Sequence, residues 1–253
     1  MTQVTAPLDS VQRAFEVVDA LDRLQGAGPS ELADHLGLSK STAHVYLRSL
    51  QSAGYAVNRN GEYRLSHQFF TTGSRQLQRN ALFQATEGEV ATLAADTDEV
   101  AVLLEEERGK TVILRQHAGD RSLDIGSYPG MELPIHTHVS GKIFLAHMSP
   151  ERRESVLDRH GLPPVTDRTL TDRAALDAEL EAIRDRGHAF DWDEHVVGMG
   201  GVGVPIFVDG DLEGALAVTG PTGRIKDEEY RSELLQHLHG AVDSIIVKYK
   251  FGR

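Results

Sequence analysis

The sequence predicts an α+β protein in two parts: a small helical head closed by a β-hairpin, and a larger body in which strand pairs are mixed with helices. Three patterns carry that expectation. Residues 10–53 hold three runs with apolar residues at helical spacing, the last two separated only by Gly37-Leu38-Ser39. Asn60-Gly61 stands between two stretches of alternating apolar residues, the strongest short-range hairpin signal. Past residue 84, the strand pairs "EVAVLLEE" with "KTVILRQH" and "GVGVPIFV" with "EGALAVTG" enclose a long helical stretch.

Within the head, Val11, Ala14, Phe15, Val18, Leu21 and Leu24 mark one face of a helix over 10–24, with Ser10 as its expected N-cap. "GAGPS" breaks it. A second helix runs from Ser30 to Leu36 and stops at Gly37. Ser39 caps a third that runs to about Ala53, stopped by Gly54. Tyr55 and Val57, then Tyr63 and Leu65, alternate about Asn60-Gly61 as the two strands of a wing. Residues 67–83 read as a connecting helix whose Phe69, Phe70, Leu77 and Leu82 offer a face for self-association.

The body continues with a helix over 84–95, the first strand pair joined by "ERGK", and a further strand at "SLDIGS". Helices follow at "SGKIFLAHM", at "SPERRESVLDRHG" with Ser149 as cap, and at "TDRAALDAELEAIRDRG". The second strand pair turns at Asp209-Gly210, and "KDEEYRSELLQHLHGAVDSIIVKYK" closes the chain as a long helix. The expected boundaries are therefore 1–66 for the head, 67–83 for the linker helix and 84–253 for the body.

Charge separates the two parts. The 253 residues carry a formal charge of −12. Residues 1–80 hold eight basic and seven acidic side chains, whereas residues 81–253 hold 18 and 31. A near-neutral head on an acidic body points to the head as the part that meets a polyanion. Only six of the 26 basic residues are lysine, and this acid-rich, lysine-poor balance is of a halophile type. No apolar run of about 18 residues would span a membrane, and the N-terminal residues lack the pattern of a signal peptide. No cysteine is present, which excludes disulfides, thiol catalysis and Cys-ligated zinc. A cytoplasmic location is the expectation.

Helical spacing sorts the third helix into two faces. Ala43, Tyr46, Leu47 and Leu50 face the first helix. Ser39, Lys40, Ser41, Thr42, His44, Val45 and Arg48 lie elsewhere, mostly on the N-terminal half that a recognition helix places against base edges. Arg59 and Arg64 on the wing are set to touch phosphate or a minor groove. The partner such a surface fits is a double-stranded DNA operator. A winged helix can also bind protein, and that alternative stays open at this level.

The stretch "GLSKSTAHVYLRSL", followed by "YRLS", resembles the recognition segment and wing strand of the IclR family of transcription regulators. "LPIHTHVSGKIFLA", "RDRGHAFDWDEHVVGMGGVGVPIF" and "ALAVTGPTGRI" are similar to three further family landmarks in the family's order. The resemblance covers nearly the whole chain. It implies an N-terminal winged helix-turn-helix, a linker helix, and a GAF-like effector-binding domain with a mainly antiparallel sheet, assembled as a homodimer or homotetramer. It further implies control of a catabolic operon by a small organic acid. By residue matching, Val139, Ser140, Gly141, Asp191, Gly201, Ala217 and Thr219 would contact the effector. Val45 stands where the family often has arginine, which removes one DNA contact. Gly200-Gly201-Val202-Gly203 replaces a bulkier family stretch and should enlarge the pocket beyond glyoxylate or pyruvate.

Residue chemistry supports an effector site beside the resemblance. Ser140 and Gly141 open a predicted helix, where backbone N–H groups favour an anion. Thr219 supplies a hydroxyl, and Asp191 would repel a carboxylate but accept from ligand hydroxyls. Hydroxy acids, sugar acids and aromatic acids are the ligand classes considered. His136 and His138 share one strand face and could ligate zinc, but no further ligands complete a motif, so no metal or cofactor is expected. "GMGGVG" lacks the Gly-Lys-Ser/Thr of a phosphate loop. Asp191-Trp192-Asp193-Glu194 reads as a solvated turn with one pocket residue rather than a paired-carboxylate site. An enzyme with an appended winged helix is the alternative, and it ranks below a non-enzymatic regulator.

Overall fold

The computed structural model describes residues 8–252. The chain divides into two compact units, Met1–Gln76 and Leu77–Arg253.

The head comprises α1 (Asp9–Arg23), α2 (Pro29–Leu36), α3 (Lys40–Ser52), the hairpin of β1 (Ala56–Arg59) and β2 (Glu62–Leu65), and α4 (Gln68–Leu77), which runs to the edge of the unit. α1 starts after Leu8, with no side-chain cap, so Ser10 lies inside the first turn and does not cap it. Gly37 takes a left-handed conformation (φ 64°) that ends α2. Ser39 Oγ then accepts from Thr42 N at 3.1 Å and starts α3. Asn60 (φ 55°) and Gly61 (φ 92°) make the mirror-image turn that suits a tight hairpin. Val17, Leu21, Leu32, Ala43, Leu47 and Tyr63 close the core between the helices and the wing. Burying each of the larger aliphatic side chains contributes about 1.5–3 kcal/mol.

The connecting segment is two helices rather than one. α4 ends at Leu77, and Asn80 starts α5 (Ala81–Ala85) by accepting from Phe83 N at 2.7 Å. The strong capping preference of asparagine interrupts the helix.

The body is built on one antiparallel sheet with spatial order β5-β4-β3-β8-β7-β6. Its strands are β3 (Val100–Glu107), β4 (Lys110–Ala118), β5 (Glu132–Pro134), β6 (Ala189–Trp192), β7 (Met199–Val208) and β8 (Asp211–Pro221). On one face lie α7 (Val139–His147), α8 (Pro150–His160) and α9 (Arg173–Arg186), packed with Val102, Leu104 and Ile113. On the other lie α6 (Glu89–Thr97), the short α10 (Thr222–Ile225) and α11 (Glu228–Phe251), packed with Leu103, Val204 and Leu216. Alternation along β3 sends Val100, Val102 and Leu104 to the first face and Ala101 and Leu103 to the second. A central strand covered on both sides is therefore continuously apolar.

Three expectations are corrected. "SLDIGS" is not a strand; it belongs to an irregular segment before the short edge strand β5. The helix expected over 84–95 starts later, because Gly88 at φ 84° precedes α6. Four-residue β6 and α10, which periodicity did not signal, complete the body.

Candidate functional site

In the head, the apolar side of α3 enters the core through Ala43 and Leu47, with Tyr46 and Leu50 half-buried. Lys40, Ser41, Thr42, His44, Val45 and Arg48 are exposed on the same helix, Val45 at 62 %. Ser39 Oγ lies 2.9 Å from the Ser41 hydroxyl and 2.8 Å from that of Thr42, a cluster of hydroxyls at the helix start. Arg59 is exposed on the wing. Arg64 is exposed but bound to Glu62 at 2.6 Å, so the two wing arginines are not equivalent.

In the body, the segment before α7 is tied down residue by residue. The His136 Nε2 lies 3.0 Å from Pro163 O, and Thr137 Oγ1 donates to Pro134 O at 2.9 Å. The His138 Nε2 lies 2.8 Å from Thr111 Oγ1. Burial, then the nearby positive groups, pushes His138 down to about 3, so its ring is neutral. Among the described residues no three His, Cys, Asp or Glu side chains are arranged to hold a metal.

His138 precedes α7 without capping it. Next to this uncapped helix start lies a cavity of about 80 Å³. Its walls are mainly apolar, including Val102, Leu104, Ile113, Met131, Leu133 and Met199; its polar groups are Ser127, Ser140, Asp191, Thr219 and the rings of His138 and His195. Ser140 is fully buried and its hydroxyl has no partner. An orphan hydroxyl inside a protein is costly unless something fills the site.

Strand alternation turns Asp191 toward this cavity, while Phe190 and Trp192 stack on the opposite face with ring centroids 5.3 Å apart. The Asp191 Oδ1 accepts from Glu194 N at 2.8 Å. Burial pushes Asp191 up to about 7, against the lowering effects of that hydrogen bond and of Lys142. Below pH 7 the protonated carboxyl therefore predominates, and it would meet a carboxylate without the expected repulsion. Lys142 and Glu194 form a buried ion pair at 2.5 Å. Burial nonetheless holds Glu194 above its usual range, and its Oε2 has no partner. The stretch from Asp191 to Glu194 is thus pinned and buried at both ends and is not a solvated turn, while the loop beyond it is exposed at Val197 and Gly198. Thr166 Oγ1 donates to Asp193 O, and Thr169 Oγ1 to Glu194 O, both at 2.7 Å. The His195 Nδ1 lies 2.9 Å from Thr137 Oγ1.

Of the seven residues expected around an effector, Val139, Ser140, Asp191, Ala217 and Thr219 line the cavity. Gly141 and Gly201 do not. A Cβ on Gly141 would lie 1.9 Å from Ile135 O, so this glycine serves a backbone crossing. Cβ atoms on Gly201 and Gly203 would meet the Val139 methyls at 3.4 and 3.3 Å. These glycines let Val139 settle onto β7, and the room they leave is filled rather than added to the cavity. The walls from β3 and β4 were not singled out in the sequence, and His195 was considered there only for a metal or an enzyme and not for the effector cavity; the alternation of β3 is the signal that points to Val100, Val102 and Leu104.

The comparisons agree with this architecture. Residues 74–247 match the family described as the bacterial transcriptional regulator IclR C-terminal domain, and residues 10–59 match the IclR helix-turn-helix domain. A relative from Halobacterium salinarum, named "Probable HTH-type transcriptional regulator ArcR", is 28% identical over 90% of this chain and 88% of its own. The acetate operon repressor of Salmonella typhimurium is 30% identical over 89% of this chain and 84% of its own. The crystal structure of the Thermotoga maritima IclR superposes with a TM-score of 0.76 at 26% identity, covering 96% of this chain and 99% of that one. A recognition helix with its polar side free, a sheet body with a lined cavity, and two family domains matched across head and body lead to one assignment: the chain belongs to the IclR family of DNA-binding transcriptional regulators.

Proposed function

We propose that this regulator controls a catabolic operon in response to a small organic acid held in the body cavity. The observation that carries the effector reading is the fully buried, unpartnered Ser140 hydroxyl at the uncapped start of α7. Val139, Ser140, Asp191, Ala217 and Thr219 contact the ligand in this reading. The predominance of apolar wall favours an aromatic or branched aliphatic acid over a sugar acid.

The operator is read by Ser39, Lys40, Ser41, Thr42, His44, Val45 and Arg48 of the recognition segment, with Arg59 as the free wing cation and Arg64 partly spent on Glu62. The protein acts as a homodimer, since two heads match a pseudo-palindromic site. Support comes from the apolar side of the head, where Phe15 is 60 % and Phe70 75 % exposed. Phe15 lines a cleft with Ala14, Val18, Leu50, Tyr55 and Phe69, the neighbour of Phe70 in α4. Exposed aromatic residues at such a density are suited to a second copy. No helix among the described residues is long and apolar enough to cross a membrane, and the work is placed in the cytoplasm, in a halophile-type setting.

A gel shift on the upstream region of the protein's own gene, run across salt and with a panel of carboxylic acids, tests the whole reading. Retardation that weakens with salt and responds to one acid class is expected. Retardation indifferent to every acid would remove the effector role. Turnover of any acid by purified protein would revive the enzyme alternative.

A further inference from the structure

Asp191 is the sole carboxylate lining the cavity, and among the described residues no cation forms an ion pair with it. Each charged group that faces it is already engaged. Lys142, from α7, is bound to Glu194. Glu194 offers Asp191 only its backbone N–H. Asp193, from the same loop, adds negative charge and accepts from the Thr222 hydroxyl. His138 and His195 face the cavity as neutral rings, both pushed down by burial. From β8 the cavity receives Ala217 and Thr219, which carry no charge.

The start of α7 lines the same cavity, with its uncapped turn and the unpartnered Ser140 hydroxyl. That end favours an anion. An anion there and an ionised Asp191 would share one apolar-walled cavity of about 80 Å³. Two carboxylates so placed cannot both ionise, and hold one proton between them.

We propose, resting on the effector reading above, that the cavity takes up a monocarboxylic acid with a compact apolar body together with one proton, which the Asp191 carboxyl holds and donates to the ligand carboxylate. The proton balance follows. When Asp191 is already protonated, the ligand anion enters alone. When it is ionised, each anion that binds draws one H⁺ from solvent onto Asp191. Burial sets the changeover near neutral pH, at about 7. A dicarboxylate is rejected, because its second charge finds no partner among apolar walls.

Isothermal titration of the full-length protein with benzoate and isobutyrate between pH 6 and 9, with benzylamine as the cationic counterpart, tests this. Carboxylate affinity is expected to fall about tenfold per pH unit above pH 7, with one proton taken up per ligand at pH 8. Repeating the titration in buffers of different ionisation heat reads that proton. Asp191→Asn, which carries a donor at every pH, should bind with an affinity that does not change with pH. Carboxylate affinity equal at pH 6 and 9, or binding without proton uptake at pH 8, overturns proton sharing and leaves the effector cavity standing. Benzylamine binding that tightens above pH 7 overturns it in favour of a cationic ligand. Silence from all three probes in both proteins brings down the effector reading and this inference together.

Discussion

Gly141 sits where α7 crosses the backbone of Ile135, and replacing it with alanine probes the geometry of the site directly. The new Cβ would lie 1.9 Å from Ile135 O and 2.6 Å from its carbonyl carbon. Relief to van der Waals distance needs a displacement of about 1 Å or more. The opposing backbone cannot yield easily, because His136 and Thr137 are both hydrogen-bonded at their side chains. Overpacking of this kind costs about 1–3 kcal/mol, and a backbone-on-backbone contact belongs at the top of that range. At about 2–4 °C per kcal/mol for a unit of this size, the body should melt about 6–12 °C lower. Trp192 is the only tryptophan and belongs to the body, so its fluorescence follows that transition. Gly240→Ala is the internal control. It is the same change inside α11, but its Cβ meets open space, and it should raise stability by about 0.5–1 kcal/mol. A Gly141→Ala protein that melts within about 2 °C of the parent would refute the close crossing.

Arg48→Ala should weaken operator binding and reduce the slope of log affinity against log salt by about 1, leaving Trp192 unfolding unchanged; an unaltered slope would remove Arg48 from the phosphate contacts. Phe15→Glu combined with Phe70→Glu should convert the proposed dimer to monomer in light scattering, and a persistent dimer would move the interface away from these residues. Lys142→Met strands Glu194 inside the body, which costs about 3–5 kcal/mol in thermal or urea unfolding. Burial holds Glu194 above its usual range, so protonation relieves that loss. The defect should therefore be smaller at pH 5 and grow as pH rises. The double variant Lys142→Met, Glu194→Leu should recover most of the stability, and a double variant as weak as the single would contradict an isolated buried pair.

How far the sequence could be read depended on whether a feature was local. The two faces of α3 follow from helical spacing alone, and the Ser39 cap and the Asn60-Gly61 turn each rest on a few neighbouring residues. Strands β3, β7 and β8 were legible from apolar runs. β6 was not, because four residues with an aspartate in the middle carry no period. Gly141 was read as part of an anion site, yet its reason is a backbone crossing with Ile135 that only packing reveals. Gly201 and Gly203 suggested empty room, whereas Val139 from another element fills it. The buried pair of Lys142 with Glu194 joins distant parts of the chain, and nothing in either neighbourhood announces it. Asp191 was marked by family likeness, but its raised pKa comes from burial that no spacing encodes.

The order of assembly has a consequence for synthesis. Every element that builds the head lies within the first 77 residues. In the body, Val100 of β3 must wait for Thr219 of β8 before the central ladder can form. Pairings that remote form late, and domains fold as they leave the ribosome, N-terminal first. If the body cavity governs the head as proposed, each nascent molecule presents a finished surface for reading the genome while that chamber is still unbuilt. Newly made protein would then pass through a deaf interval, closed only when the final strands arrive.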